Sequence, residues 1–176
     1  KMKGVPKAII DTLREEDLEE IVESFTFPWT TYAATRVKWE AYLAQQAAGL
    51  RVCCLARWKG GLVGYGSLLK QSEYLPFRVS GIPEIQDLWV SDKHRGLGFG
   101  KQMISHFEGL ARTTPCQAIG IGVGLYKDYG SAQKLYSRLG FSPDGEGITY
   151  KYQACVPGSS YPLDDDLVLW LKKPLS

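Results

Sequence analysis

The sequence lacks the features that mark several large classes of protein. It has no uninterrupted apolar stretch near the ~20 residues that a membrane-spanning helix needs, and Lys1-Met2-Lys3 is not followed by the apolar region of a signal peptide. The net charge is only +2, whereas proteins that bind nucleic acids usually concentrate an excess of lysine and arginine. We therefore expect no nucleic-acid partner and no membrane partner.

Cysteine and histidine are also scarce. The chain has two histidines and four cysteines, which are Cys53, Cys54, Cys116 and Cys155. No two cysteines have the C-x-x-C spacing of a zinc site, so we expect no metal. The chain is long and apolar enough to fold without disulfides, and we therefore expect reduced thiols and a cytoplasmic location.

The chain does contain what a single mixed domain needs. Its 176 residues are 44% apolar and include no repeat or linker, which predicts one domain over residues 1–176. Helical and strand periodicities alternate along the chain, which indicates an α/β (α+β) fold. Helices are predicted over residues 13–25, 31–48, 98–112 and 131–139. The first should be capped by Thr12 and Glu15, and the last should end at Gly140.

Strands are predicted over residues 7–10, 51–58, 62–69, 84–90, 117–124, 147–154 and 166–172. Lys59-Gly60-Gly61 predicts a hairpin turn between the second and third strands, and residues 71–83 are expected to be irregular.

The most informative stretch is a glycine-rich loop, Arg95-Gly96-Leu97-Gly98-Phe99-Gly100, between the predicted strand 84–90 and the helix that follows. The start of a helix leaves four N–H donors without partners in the helix, and it carries a partial positive charge. Glycines let those donors approach a phosphate closely, and Arg95 and Lys101 add positive charge. The loop therefore suits a pyrophosphate. The same sequence would also be expected for a tight strand-to-helix turn in which the glycines serve only the backbone geometry.

Two better-known phosphate loops do not fit this stretch. A Walker loop ends in Gly-Lys-Ser/Thr, but Gly100-Lys101 is followed by Gln102. A dinucleotide loop has the spacing G-x-G-x-x-G, whereas the glycines here are Gly96, Gly98 and Gly100.

The loop resembles the acetyl-CoA loop of the GNAT superfamily of N-acetyltransferases, which has the form Arg/Gln-x-x-Gly-x-Gly/Ala. Leu88-x-Val90 is similar to the strand that this family places before its loop. The later stretch 132–141, Ala-Gln-Lys-Leu-Tyr-Ser-Arg-Leu-Gly-Phe, resembles the family's Ala-x-x-Leu-Tyr-x-x-x-Gly-Phe helix. The resemblance implies a mixed, bent central sheet of about seven strands flanked by about four helices. It also implies acetyl-CoA as the acetyl donor.

The same resemblance assigns roles to the residues around the loop. Main-chain groups would hold the pantetheine arm and the pyrophosphate, and the N–H of Val90 would polarise the thioester carbonyl. The implied acetyl-CoA-binding residues are Leu88, Trp89, Val90, Arg95, Gly96, Leu97, Gly98, Phe99, Gly100 and Lys101.

The resemblance implies a general acid and a general base, and it does not identify the residue that acts as the base. Tyr136 matches the family's tyrosine that protonates the departing thiolate, although it could be a core aromatic instead. Many relatives carry a basic carboxylate at the position of Gln86, and glutamine cannot take a proton. Glu84 and Asp87 are the carboxylates left on that strand, and each could equally be a solvated or salt-bridged group.

The acceptor is predicted only as a class. Phe27, Trp29 and Tyr32 lie where this family often forms the acceptor wall, although ordinary core packing would explain them equally well. We expect a small-molecule primary amine such as a polyamine, an amino acid or an aminoglycoside-like compound. The alternatives are a protein N-terminus or lysine, or a non-catalytic acetyl-CoA-binding module, which Gln86 keeps open. A homodimer is also left open.

Overall fold

The computed structural model describes residues 4–176, so Lys1-Met2-Lys3 lies outside the described residues. The described residues contain eight strands and five α-helices. The strands are β1 (Ile9–Thr12), β2 (Arg51–Trp58), β3 (Gly61–Leu69), β4 (Glu84–Val90), β5 (Ala118–Gly124), β6 (Ser142–Tyr150), β7 (Gln153–Ala154) and β8 (Leu167–Pro174). The helices are α1 (Leu18–Phe25), α2 (Tyr32–Ala47), α3 (Leu75–Val79), α4 (Phe99–Ala111) and α5 (Gly130–Arg138).

The chain forms two compact units. Of the described residues, the first unit takes 4–69 and 87–107, and the second takes 70–86 and 108–176. The boundaries fall inside β4 and inside α4, so each unit holds part of both elements. The single domain predicted over residues 1–176 stays a prediction.

In the first unit the strands follow the order β1-β2-β3-β4. β1 and β3 both run antiparallel to β2. Lys59 and Gly60 join β2 to β3 with φ angles of 50° and 79°. These are the positive φ values of a two-residue hairpin turn, so the predicted hairpin is confirmed.

Aromatic side chains dominate the core of the first unit. Phe25 of α1, Trp39 of α2 and Tyr65 of β3 are buried together, with Trp89 of β4 packed against them. The ring of Trp89 lies 5.3 Å from that of Phe25 and 5.4 Å from that of Tyr65, measured between centroids. Because large rings contribute much of the burial in a core, these contacts fix the end of β4.

Two glycines of β3 allow close approach to β4 and α4. A Cβ atom added to Gly64 would lie 2.6 Å from the main-chain oxygen of Trp89. One added to Gly66 would lie 3.0 Å from the Phe107 ring and 3.2 Å from the side chain of Leu88. Larger residues at these positions would push β4 and α4 away from β3.

In the second unit the strands follow the order β4-β5-β8-β6-β7. β4 is parallel to β5, with Glu84 opposite Gly120, and the other neighbouring pairs in this unit are antiparallel. Its core contains Tyr74, Phe77, Ile82 and Trp170. The rings of Tyr74 and Trp170 stack with their centroids 4.2 Å apart. The predicted mixed α/β class is therefore confirmed.

Several element boundaries differ from the prediction. The first helix was expected to begin after Thr12, but Thr12 ends β1, and a 3₁₀ turn at Glu15–Asp17 precedes α1. The capping carboxylate is that of Asp17, which accepts the N–H of Arg14 at 2.8 Å. The predicted residues 31–48, 98–112 and 131–139 each match a helix to within two residues at either end.

The irregular segment predicted at residues 71–83 contains α3. Pro76 lies in the first turn of this helix, where a proline is tolerated because its missing N–H would have no partner in the helix anyway. None of the helices found in residues 4–176 is long and apolar enough to cross a membrane.

We predict that Gly64→Ala destabilises the protein by at least ~2 kcal/mol, because its methyl group would overlap a main-chain oxygen that cannot move independently. Gly61→Ala in the same strand is the matched control, since its Cβ would meet nothing closer than 3.9 Å. We expect the control to change the free energy of unfolding by no more than ~0.5 kcal/mol. Urea unfolding measures both variants, and equal stability of the two would contradict the close approach at Gly64.

Candidate functional site

The glycine-rich loop connects β4 to α4 with an unusual backbone. After β4 ends at Val90, Gly96 and Gly98 have φ angles of 75° and 91°. The helix begins at Phe99, and the N–H of Gln102 donates to the carbonyl of Gly98 at 3.1 Å. The N–H groups earlier in this turn have no acceptor inside the helix, so they are available for an anion.

Packing on both sides holds the loop in place. Phe99 is buried, and its ring centroid lies 5.7 Å from that of Trp58. On the strand side, the N–H of Ser91 donates to the carbonyl of Val63 at 2.8 Å. The loop therefore starts and ends at anchored residues, while the glycines between them set its path.

Arg95 supports the loop as well as charging it. Its Nε donates to the carbonyl of Val90 at 3.1 Å, and its guanidinium pairs with Asp92 at 3.1 Å. The side chain of Arg95 is exposed, so the pair with Asp92 is screened by water and weak. The negative charge of Asp92 therefore partly offsets the positive charge that Arg95 brings to the loop.

The glycines leave open space on one side of the loop. A Cβ added to Gly96 would meet no heavy atom within 4 Å, and one added to Gly98 would meet the side chain of Val5 at 3.5 Å. The Gln102 side chain holds the N-terminal segment here, accepting the N–H of Ala8 at 2.9 Å and donating to the carbonyl of Pro6 at 2.8 Å. A groove of about 660 Å³ lies beside this segment. It is lined by Val5, Pro6, Lys7, Ala8, Ile10, Gly98, Lys101, Gln102, Ser105 and His106.

Asp87 interrupts the regular alternation of β4. Its φ is 58°, a left-handed value that aspartate adopts more readily than most residues. Its Oδ2 accepts the hydroxyl of Tyr42 at 2.8 Å and lies 3.0 Å from Nζ of Lys38. Burial, and then the Asp87 charge, hold the pKa of Tyr42 well above its usual range, so Tyr42 stays a hydrogen-bond donor. Leu88, Trp89 and Val90 follow directly.

Glu84, the other predicted carboxylate of β4, has a different environment in the second unit. It is 4% exposed, and its Oε1 accepts the hydroxyl of Ser72 at 2.5 Å. The Ser72 oxygen in turn accepts the N–H of Tyr74 at 3.0 Å. Glu84 therefore belongs to a buried set of hydrogen bonds that includes the main-chain N–H of Tyr74, just before α3.

Tyr136 lies on α5, where it is 7% exposed. Burial raises the pKa of its phenol to about 12. Within residues 4–176 the hydroxyl makes no hydrogen bond. The N–H of Phe141 donates to the Tyr136 carbonyl at 3.0 Å, after Gly140 turns the chain with φ at 94°. The predicted helix end is confirmed, and it fixes the backbone of Tyr136.

The predicted aromatic acceptor wall continues outward from the first core. Phe27 packs edge-on against Trp89, with ring centroids 5.1 Å apart, and stacks on Trp29 at 4.9 Å. Trp29 is 81% exposed, and Tyr32 is also exposed. An exposed tryptophan stacked on a half-buried aromatic residue is more typical of a binding surface than of core packing.

The cluster of side chains around Asp87 is not predicted from the sequence. Lys38 and Tyr42 are four residues apart on α2 and so share one helix face. Nothing in the linear sequence connects that face with Tyr65 or with Asp87, because strand pairing and helix packing bring them together. Among residues 4–176, no group of three or more histidine, cysteine, aspartate or glutamate residues is placed to hold a metal ion.

Comparison with known proteins assigns the family. The model of the Acetyltransferase (GNAT) family matches residues 15–141, which is most of the chain. The chain therefore belongs to the GNAT acetyltransferase family. No curated protein sequence matches it.

Solved structures agree in fold. A protein assigned to the GNAT family from Desulfovibrio desulfuricans matches with a TM-score of 0.68 at 14% identity, over 97% of this chain and 100% of that chain. A spermidine N-acetyltransferase chimera of Vibrio cholerae SpeG and hSSAT matches with a TM-score of 0.67 at 16% identity, over 96% and 95%. The yncA protein of Salmonella typhimurium, solved with its cofactor acetyl-CoA, matches with a TM-score of 0.65 at 18% identity, over 97% and 95%.

These findings confirm the predicted family, the predicted fold class and the predicted acetyltransferase activity with acetyl-CoA as donor. At such low identities the likeness to solved structures is one of fold. The individual site residues and the acceptor stay predictions.

We predict that Gly98→Val weakens acetyl-CoA binding at least ~10-fold, because valine cannot hold the positive φ that orients the loop N–H groups. Gly60→Val is the matched control, since Gly60 has a φ of 79° in a turn outside the loop. Both variants should lose ~1–3 kcal/mol of stability from backbone strain. Calorimetric titration of acetyl-CoA separates the two effects, and equal affinity of the two folded variants would rule out the loop as the binding site.

Proposed function

We propose that this GNAT-family enzyme transfers the acetyl group of acetyl-CoA to a primary amine of a small molecule. The observation that carries the proposal is the loop between β4 and α4, whose two left-handed glycines, Gly96 and Gly98, lie just before the first turn of α4. A polyamine, an amino acid or an aminoglycoside-like compound is the acceptor class. The fold likeness to a spermidine N-acetyltransferase chimera supports the first of these.

The residues present fit the acetyl donor. The N–H groups of residues 96–101 would bind the pyrophosphate. Lys101, which lines the neighbouring groove, would add a positive charge. The open space beside Gly96 supports this assignment, because a side chain there would occupy the place of a phosphate oxygen. The main chain of Leu88, Trp89 and Val90 would bind the pantetheine arm.

Oxyanion stabilisation is assigned to the main-chain N–H of Val90. As the amine attacks the thioester, the carbonyl oxygen gains negative charge, and a fixed donor stabilises it without having to reorganise. Removing one such donor typically costs ~3–4 kcal/mol of activation energy. The packing of Trp89 against Phe25 and Tyr65 supports this role, because it holds the neighbouring backbone still.

Asp87 is the better candidate for the base. Its side chain is 32% exposed, whereas Glu84 is buried and hydrogen-bonded to Ser72. A base must reach the amine directly or through a water, and an exposed carboxylate can do either. Glu84 would then serve the structure of its own unit.

The transfer conserves atoms and electrons. The amine lone pair forms the C–N bond, and the electron pair of the C–S bond leaves with the sulfur. Of the three protons on the acceptor ammonium, one stays on the amide nitrogen. A second leaves through Asp87 to solvent. Tyr136 protonates the sulfur and takes the third in exchange.

The raised pKa of Tyr136 suits an acid that must stay protonated. At about 12, its pKa lies well above neutral pH, so the phenol carries its proton throughout the assay range. Because burial disfavours the ionised phenol, its titration leaves stability unchanged below pH ~10. Stability then falls as the pH rises through about 12, since the unfolded chain loses this proton more readily than the folded protein.

The remaining expectations extend this proposal. Phe27, Trp29 and Tyr32 would form the apolar wall against which the acceptor lies, and the exposed stack of Trp29 on Phe27 supports that role. The cytoplasmic location and the homodimer stay predictions.

We predict that Tyr136→Phe lowers kcat by ~10²-fold or more, with acetyl-CoA affinity unchanged. The hydroxyl makes no hydrogen bond within the described residues, so its removal should not lower stability at neutral pH. Tyr150→Phe is the control, because it removes a hydroxyl that binds Asp164 at 2.9 Å. Release of CoA thiol gives the rates, and wild-type turnover in Tyr136→Phe would remove Tyr136 from the mechanism.

The function itself is tested by titrating acetyl-CoA into the protein and then following thiol release against a panel of small amines. We expect saturable binding of acetyl-CoA, and thiol release that depends on one class of amine. Binding without release across the panel would contradict a small-molecule acceptor.

A further inference from the structure

Lys38 occupies a small cation-binding site in the first unit. Its Nζ lies 3.0 Å from Oδ2 of Asp87. The same nitrogen lies 5.5 Å from the ring centroids of Tyr42 and Tyr65, and 5.9 Å from that of Trp39. We call the four residues around it, Trp39, Tyr42, Tyr65 and Asp87, the ammonium site.

This combination of groups is one that binds an alkylammonium ion. Aromatic faces attract a cation within ~6 Å of their centroids, and the attraction grows when the cation is shielded from water. A carboxylate adds a full negative charge and a hydrogen-bond acceptor. A surface salt bridge needs only the carboxylate, so the three aromatic rings are additional groups that can attract a cation.

The ammonium site is rigid. Trp39 packs edge-on against Tyr42 and Tyr65, with ring centroids 5.3 Å and 5.0 Å apart. The hydroxyl of Tyr42 holds the Asp87 carboxylate at 2.8 Å. A site whose groups are already held in place loses little entropy when it binds a ligand.

Lys38 differs from the four residues around it in the length and flexibility of its side chain. Its side chain is 40% exposed, and it ends a flexible four-carbon stem that can turn into solvent. Exchange of one primary ammonium for another keeps the same contacts. The rigid groups therefore do not depend on Lys38 in particular.

The charges nearby allow this exchange. The guanidinium of buried Arg51 lies 4.2 Å from the Tyr42 ring centroid, and Arg51 donates to Gln45 and Ser67. Tyr42 also donates its hydroxyl to Asp87, so a positive charge stays beside the partner of Asp87 when Lys38 turns away.

The position in the chain also points to a binding role. Asp87 directly precedes Leu88, Trp89 and Val90, the residues proposed to hold the pantetheine arm. The left-handed φ of Asp87 is an uncommon backbone state, and such states cluster at functional sites.

We propose that the ammonium site binds the cationic amine of the acceptor and that Lys38 is a tethered competitor for it. This inference rests on the proposed function. The acceptors selected are primary alkylamines that are protonated near neutral pH, and neutral amines gain nothing from the site.

A tethered competitor lowers apparent affinity by a calculable factor. The observed dissociation constant is the intrinsic one divided by the fraction of molecules in which the site is accessible. If Lys38 lies in the site in about nine molecules of ten, its removal should tighten binding ~10-fold.

The test compares Lys38→Ala with Arg36→Ala. Both variants remove one positive charge from α2, but Arg36 pairs with Glu19 at 2.6 Å, outside the ammonium site. We expect Lys38→Ala to lower the KM for n-butylamine ~10-fold, without changing the KM for acetyl-CoA. The KM for aniline, which is neutral at the assay pH, should not change. An effect of Lys38→Ala no larger than that of Arg36→Ala, or equal effects on both amines, would overturn the proposal.

Asp87→Asn tests whether the two side chains act through one site. Asparagine tolerates the left-handed backbone, so the fold should be kept. Because Asp87 is also the proposed base, the quantity compared is the dissociation constant of n-butylammonium, measured by NMR, and not a rate. We expect this constant to rise in Asp87→Asn, and Lys38→Ala added to this variant should no longer lower it. Additive effects of the two substitutions would contradict a shared site.

A binding measurement keeps this inference separate from the proposed function. The indole N–H signal of Trp39, assigned with Trp39→Phe, is followed by NMR while n-butylammonium chloride is added without acetyl-CoA. We expect a saturable shift that is larger at equal concentration in Lys38→Ala. No shift in either protein would overturn the ammonium site, whereas a shift without any thiol release would keep the site and count against the proposed small-molecule acceptor.

Discussion

The backbone between β4 and α4 is the constraint on which the rest of this structure depends. Between this strand and this helix the chain passes through two residues of positive φ, Gly96 and Gly98, and the pyrophosphate site that we propose would use the N–H groups along this path. Such a path has few stabilising contacts of its own. Its geometry is therefore set by what holds its ends, which are Trp89 in the aromatic core and Phe99 against Trp58.

Close packing in the interior of the first unit holds β4 and α4, the two elements on either side of the loop. Gly64 and Gly66 of β3 lie so close to β4 and α4 that a methyl group on either would crowd Trp89 or Phe107. The same aromatic core that fixes Trp89 also supplies the ring of Tyr65 to the ammonium site. Donor and acceptor binding would thus share one rigid framework, which is how an enzyme that mainly orients two reactants gains its rate.

The parts that the sequence predicts well are those with local causes. β4 and the start of α4 follow from a strand pattern that is followed within a few residues by Gly96, Gly98 and Gly100, and Gly140 marks the end of α5 as expected. The start of α1 was wrong, because Asp17 rather than Glu15 supplies the capping carboxylate. α3 was missed because Pro76 reads as a breaker, although a proline in the first turn is tolerated. The ammonium site could not be predicted, since strand pairing and helix packing bring residues 38, 39, 42, 65 and 87 together.

The measurement that tests the central claim most directly is amide hydrogen exchange with and without acetyl-CoA. If the main chain of this loop binds the donor, acetyl-CoA should slow exchange at residues 96–101 and at Leu88–Val90, and it should leave the Lys59-Gly60 turn unchanged. Slower exchange elsewhere, with residues 96–101 unaffected, would contradict the account.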